Sequence, residues 1–164
     1  MRLWKRKTPI GLWRWNSNVR ITARYQDGTT EVDYLHNLLM RNGFAHVLDG
    51  IGNLLDAGGD VAIRYLAVGS GTTAVNDTQG YLVNETFRKQ ITSAARTSHF
   101  TLETITIINN DEAVGTIEEI GWFGGVAATS TTDSGILYAR VLYSRTKTAL
   151  ESLQIDRIDT FSEV

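Results

Sequence analysis

Apolar and polar residues alternate with a period of two along most of the chain. The pattern is clearest over residues 18–25 and 100–108, while residues 61–68 are apolar at nearly every position. A period of two places successive side chains on opposite faces of a strand, and it does not give a helix one apolar side. Clusters of glycine, asparagine and aspartate separate the runs, as turns between strands require. The chain is therefore expected to fold mainly as β-strands, with residues 61–68 as a central strand covered on both faces.

The predicted strands follow one another without the helices that a parallel sheet would place between them. The fold class predicted is mostly β, an antiparallel, jelly-roll-like β-sandwich of about seven strands. The runs that indicate strands are residues 18–25, 30–32, 61–68, 85–92, 100–108, 116–123, 136–143 and 150–158.

A single helix is predicted over residues 34–51, where apolar residues recur at a broadly helical spacing. Asp33 is suited to cap its first turn. Gly43 weakens the pattern, so one helix or two shorter pieces are both compatible with it. Residues 18–164 are expected to form one β-sandwich domain that includes this helix.

Residues 1–17 are predicted to form an extended, basic N-terminal arm that contains three of the four tryptophans. Residues 1–20 have a charge of +6 and the rest of the chain −8, which gives the formal net charge of −2. Such an arm is suited to an acidic neighbouring surface, with its tryptophans as buried anchors. An arm that folds back to complete its own core fits the same residues equally well. The predicted partner-contact residues are Trp4, Lys5, Arg6, Lys7, Trp13, Arg14 and Trp15.

Motifs of catalytic and ligand-binding sites are not found at the spacings that their chemistry needs. The chain has no cysteine and therefore neither a disulfide nor a thiolate. His36, His46 and His99 lack the spacing of metal ligands, and residues 69–73 lack the lysine of a phosphate-binding loop. The chain is therefore expected to be no enzyme and to hold no catalytic residue, cofactor or metal. A hydrolase whose site combines distant residues stays an alternative.

Contacts with membranes and nucleic acids are not predicted either. No apolar run reaches the length of about 18 residues that a membrane-spanning helix needs. The basic N-terminus is not followed by the apolar stretch of a signal peptide. Tryptophan among arginine and lysine is also found in single-stranded DNA platforms, but the acidic remainder of the chain would repel phosphate groups.

Trp122 and Phe123 are the candidates for a surface platform, because they precede a loop rich in threonine and serine at residues 127–134. Exposed aromatic rings of this kind would suit a carbohydrate- or receptor-binding module. The competing interpretation places Trp122 in the core, on a strand.

Four segments carry a resemblance to a known family. They are YLAVGSGTT at residues 65–73, LVNETFRKQIT at 82–92, GTIEEIGWFGG at 115–125 and LYARVLYSRTKTALESLQIDRIDTF at 137–161. In this order they resemble a loose family of small tailed-bacteriophage and prophage virion structural proteins, over about residues 19–161. The resemblance implies a β-sandwich body and a place in the virion, as in head decoration proteins, neck or tail components and fibre-associated proteins.

The function expected is that of a non-enzymatic virion structural protein, foremost a capsid decoration or cement protein. It would stabilise the particle through oligomeric and arm-mediated contacts, with other copies of itself, a trimer favoured, and with major capsid or neck and tail proteins as partners. Its location would be the virion, after assembly in the host cytoplasm. A neck, tail or baseplate protein that attaches fibres would share these features, and a carbohydrate- or receptor-binding module is the alternative from another class.

Overall fold

The computed structural model of the protein describes residues 13–52, 54–55 and 59–163. Within these ranges the chain forms ten strands and one helix. The strands are β1 (Trp13–Tyr25), β2 (Thr30–His36), β3 (Leu38–Leu39), β4 (Ile63–Gly69), β5 (Glu85–Gln90), β6 (Ser93–Ser98), β7 (Thr101–Ile108), β8 (Gly115–Gly124), β9 (Ile136–Lys147) and β10 (Glu151–Glu163). The helix α1 (Arg41–Ile51) lies between β3 and β4.

The strands form two five-stranded sheets in which every pair of neighbours is antiparallel. Sheet A has the order β2-β1-β10-β7-β6, and sheet B has the order β3-β9-β8-β4-β5. Alternate residues of the two sheets meet in one apolar core. The mostly β class and the antiparallel sandwich predicted from the sequence are thereby confirmed.

The main core lies between the two sheets. Val19, Ile21 and Ile155 come from sheet A, and Leu66 and Trp122 from sheet B; none is more than 1% exposed. Full burial of one large aliphatic side chain stabilises the fold by about 1.5–3 kcal/mol. The long β1–β10 pair therefore anchors sheet A to the rest of the molecule.

Sheet B is covered on its outer face as well. A second buried cluster contains Ala67 and Phe123 of the sheet, together with Met40, Leu82 and Ala128 from outside it. Ala67 lies between two residues of the main core, so its side chain points to the opposite face. The central strand predicted at residues 61–68 corresponds to β4, which runs between β8 and β5 and is fully buried from Leu66 onward. The prediction is wrong for Val61 and Ala62, which precede the strand and are exposed.

The outer face of sheet A is open in contrast. Ile21 and Asp33 face each other on the inner side, so Tyr34 and Val32 point outward, and they are 76% and 47% exposed. The edge strand β6 differs from the interior strands, since all six of its residues are exposed. The outer face of sheet A is therefore exposed, whereas the outer face of sheet B is covered.

The predicted helix over residues 34–51 is wrong in its first half, because β2 and β3 occupy residues 30–36 and 38–39. Leu35 packs against the core while Tyr34 is exposed, which is the period of a strand. Asp33 does not cap the helix; it accepts a hydrogen bond from the hydroxyl of Tyr143. The residue before the helix is Met40, and its side chain makes no capping hydrogen bond.

Gly43 lies inside one continuous helix rather than at a break between two. A Cβ atom at this position would come within 2.8 Å of the Cα of Tyr138, so the glycine lets α1 approach β9 closely. In the part of the chain that the structure describes, α1 is the sole helix, and it has neither the length nor the hydrophobicity to cross a bilayer.

The boundary predicted between arm and body is also shifted. Residues 13–17 are the first part of β1 and pair with β10, so the body begins no later than Trp13. Residues 1–12 of the predicted arm lie outside the described residues. Strand β6 was not predicted either, because its fully exposed side chains show no apolar alternation.

Candidate functional site

The seven predicted contact residues fall into two groups. Trp4, Lys5, Arg6 and Lys7 lie outside the described part of the chain. The backbone of Trp13 pairs with Glu163, and exposed Arg14 pairs with Ser162, both at the end of β10.

Trp15 is part of the folded body rather than a free anchor. Its indole Nε1 donates a hydrogen bond to Asp159 Oδ1 at 2.9 Å. Its ring stacks on Phe161 with a centroid distance of 5.2 Å and meets the edge of Phe44 at 5.0 Å. For this one tryptophan, the interpretation in which the ring completes its own domain is confirmed.

Trp15 and Phe161 also form one wall of an apolar cleft of about 380 Å³. The cleft lies at the end of the sandwich where β1 begins and β10 ends. It receives residues from α1, from the start of β4 and from both sheets. Its other lining residues are Val47, Val61, Ala62, Ile63, Ala94, Leu102, Thr104 and Tyr138.

A buried ion pair lies beside the cleft, in strand β10. Arg157 Nη2 donates to Asp159 Oδ1 at 2.8 Å, and Arg157 Nε donates to Ser17 Oγ at 3.0 Å. Burial lowers the pKa of Arg157, and the carboxylate of Asp159 opposes that shift. The same carboxylate accepts the indole hydrogen bond of Trp15, so the pair ties the start of β1 to the end of β10.

Glu119 and Arg140 form a second buried ion pair, on the outer face of sheet B. Both side chains are 0% exposed, and Arg140 Nε donates to Glu119 Oε2 at 2.8 Å. The carboxylate also accepts hydrogen bonds from the backbone N–H groups of Gly71, Val83 and Asn84, at 2.9 to 3.1 Å.

The guanidinium group of Arg140 completes this contact from the other side. It donates to the carbonyl oxygen of Thr73 and to the side-chain oxygen of Gln79, both at 3.0 Å. Loop 70–84 is therefore held at both ends and in its middle. We refer to Glu119 and Arg140 with this loop as the Glu119 clamp.

A third ion pair fixes the loop at residues 125–135. Arg88 donates through Nε and Nη2 to the two carboxylate oxygens of Glu85, each at 2.7 Å. Its Nη1 donates to the carbonyl oxygen of Ser134 at 2.7 Å, and its guanidinium lies 4.1 Å from the ring centroid of Phe123. The pair holds the second loop on the outer face of sheet B.

Close packing explains why glycine occupies position 71. A Cβ atom there would come within less than 3.0 Å of Glu119 Oε1 and of Val83 Cβ. We expect Gly71→Ala to lower the free energy of unfolding by about 1–3 kcal/mol, because the clamp must shift to admit the methyl group. Gly80→Ala in the same loop should change it by less than about 0.5 kcal/mol, since the nearest atom is 4.0 Å away. Urea unfolding of both variants tests this, and equal losses would contradict it.

The predicted surface platform is wrong, because Trp122 and Phe123 are both 0% exposed. They lie on β8, between β9 and β4, and both faces of sheet B are covered. Trp122 points into the main core, and Phe123 points into the second cluster, under Arg88. Neither ring can receive a sugar.

His36 and His46 each form a hydrogen bond through a ring nitrogen. His36 Nδ1 is 2.9 Å from Asn18 Oδ1, and His46 Nε2 is 2.9 Å from the carbonyl oxygen of Asp60. Over residues 13–52, 54–55 and 59–163, no three histidine, cysteine, aspartate or glutamate side chains come together as metal ligands would.

Comparisons of the chain with protein-family models, with curated proteins and with solved structures give no match.

Proposed function

We propose that this chain is a non-enzymatic structural subunit of a tailed-bacteriophage particle, and that it decorates the capsid as a homo-oligomer, a trimer favoured. The observation that carries the proposal is the unequal covering of the two sheets. Sheet B has its outer face closed by two fixed loops, whereas sheet A leaves Tyr34 and Val32 exposed on its outer face and all of β6 exposed at its edge. Bare sheet faces and edges are surfaces that subunit packing covers.

The ion pairs support the same proposal. Glu119 and Arg140 lie in the segments GTIEEIGWFGG and LYARVLY, and Glu85 and Arg88 lie in LVNETFRKQIT. These segments carry the resemblance to phage virion proteins, and their charged groups bind loop backbone in this structure. The segments therefore work here as parts of a rigid scaffold, which suits a protein that resists mechanical and thermal stress in a shell.

The copy number of the chain per purified particle tests the proposal. By quantitative mass spectrometry, the number of copies of this chain should be similar to that of the major capsid protein, because decoration proteins follow the lattice of the shell. A few copies per particle would contradict decoration and place the chain in the neck, tail or baseplate. Absence from particles would contradict a virion role altogether. The host cytoplasm would be the place of assembly in either of the first two cases.

A further inference from the structure

We propose that the apolar cleft beside Trp15 receives residues 1–12 of a second copy of this chain. The inference rests on the proposed homo-oligomeric assembly and names the contact that builds it. Each copy would supply a cleft to one neighbour and a basic segment to another. Head-to-tail contacts form a closed ring when the rotation between neighbouring copies divides a full turn evenly, as it does in a trimer.

The position of the segment is the first argument. The backbone of Trp13 still pairs with Glu163, so the chain enters the body along the axis of β1, two residues before Trp15 forms the wall of the cleft. Residues 1–12 are therefore attached to the body beside the cleft. Twelve extended residues span about 40 Å, which is sufficient to reach the same cleft on an adjacent subunit.

The chemistry of the segment is the second argument. Residues 1–12 contain four basic residues and no acidic one, and their apolar side chains are Met1, Leu3, Trp4, Pro9, Ile10 and Leu12. The walls of the cleft are apolar apart from Thr104 and the hydroxyl of Tyr138, which donates to the carbonyl oxygen of Val61. An aromatic ring in an apolar pocket is the common form of a binding hot spot.

The charges around the cleft fit the same occupant. Asp60 directly precedes the lining residue Val61, although Arg64 offsets its charge. Glu163 lies at the end of β10, two residues after Phe161. Residues 13–164 contain 18 acidic and 12 basic residues, so the body attracts a cationic segment.

The absence of cysteine in the chain makes a direct test possible. Two full-length variants, Lys5→Cys and Val47→Cys, carry different affinity tags and are mixed under a mild oxidant. We expect a disulfide between two chains, because Val47 lines the cleft and Lys5 adjoins Trp4. The matched control pairs Lys5→Cys with Val114→Cys, whose residue is 56% exposed at the opposite end of the sandwich. The yield with Val47→Cys should be higher by about tenfold or more, given the raised effective concentration in a docked pair.

The outcomes separate this inference from the proposed function. A double variant that carries both cysteines and links only within single chains would overturn the inference, since the segment would then occupy its own cleft. Equal yields for Val47→Cys and Val114→Cys would overturn it too. If light scattering shows an oligomer, or particles contain the chain at capsid-like copy number, without the specific link, the inference fails while the proposed function stands.

Discussion

Replacing Glu119 with alanine should lower the free energy of unfolding by about 3–5 kcal/mol. The carboxylate accepts one hydrogen bond from Arg140 and three from backbone N–H groups, and its side chain is 0% exposed. Alanine would leave the guanidinium without its ion-pair partner and the three N–H groups without an acceptor. Because the site is buried, water does not replace these bonds without opening loop 70–84. The measurement is urea unfolding followed by tryptophan fluorescence.

The neighbouring residue provides the matched control. Glu118 lies on the same strand, and its carboxylate accepts a hydrogen bond from the hydroxyl of Ser144, at 3.1 Å near the surface. Glu118→Ala should change stability by no more than about 0.5 kcal/mol. Hydrogen exchange gives a second readout, since Glu119→Ala should expose the amides of loop 70–84 while leaving those of β1 and β10 protected. Similar losses for the two alanine variants would show that the clamp does not stabilise the fold.

The alternation of side chains was sufficient to predict the strands that bury one or both faces. Residues 18–25 and 100–108 lie within β1 and at β7, and the doubly apolar run 61–68 overlaps the central strand β4. These strands owe their stability to apolar burial, and apolar burial is what the pattern records.

Two parts of the fold could not be predicted from the sequence, for physical reasons. The residues Tyr34, Leu35, Leu38 and Leu39 have spacings that fit one face of a helix, yet they belong to two short strands with different partners. Strand β6 has no buried side chain. Backbone hydrogen bonds to β7 hold it at the edge of sheet A. In both cases the pairing with strands distant in sequence determines the secondary structure, and a local sequence pattern carries no information on that pairing.

The ion pairs were harder still to predict, because their partners are distant in sequence. Gly71 and Glu119 are 48 residues apart, and Glu119 and Arg140 are 21 apart. One signal was nevertheless present. Arg157 shares the strand face of Leu153 and Ile155, and a charge on an apolar face requires a buried partner. In the folded chain that partner is Asp159, on the same face.

Deleting residues 1–17 should destabilise the body by about 3–6 kcal/mol, a large part of the stability of a small domain. The deletion removes Trp15 from between Phe161 and Phe44, and it removes the hydroxyl of Ser17 from Arg157. The buried carboxylate of Asp159 loses its indole donor as well. Deleting residues 1–12 leaves all these contacts in place, so at a protein concentration that keeps the chains monomeric its stability should match that of the full chain within about 0.5 kcal/mol. Urea unfolding of the two truncated chains measures the difference.

The comparison of the two truncations also tests where the body begins. Equal stability of both would show that residues 13–17 do not contribute to the fold, and the predicted arm would then extend to residue 17. A loss already present in the monomeric chain after deletion of residues 1–12 would mean that these residues support their own body, and it would contradict their exchange between copies. A stable body without residues 1–12 that fails to assemble would instead assign them to the contact between subunits. The difference in stability between the two truncated chains therefore shows which part of residues 1–17 the domain needs in order to fold.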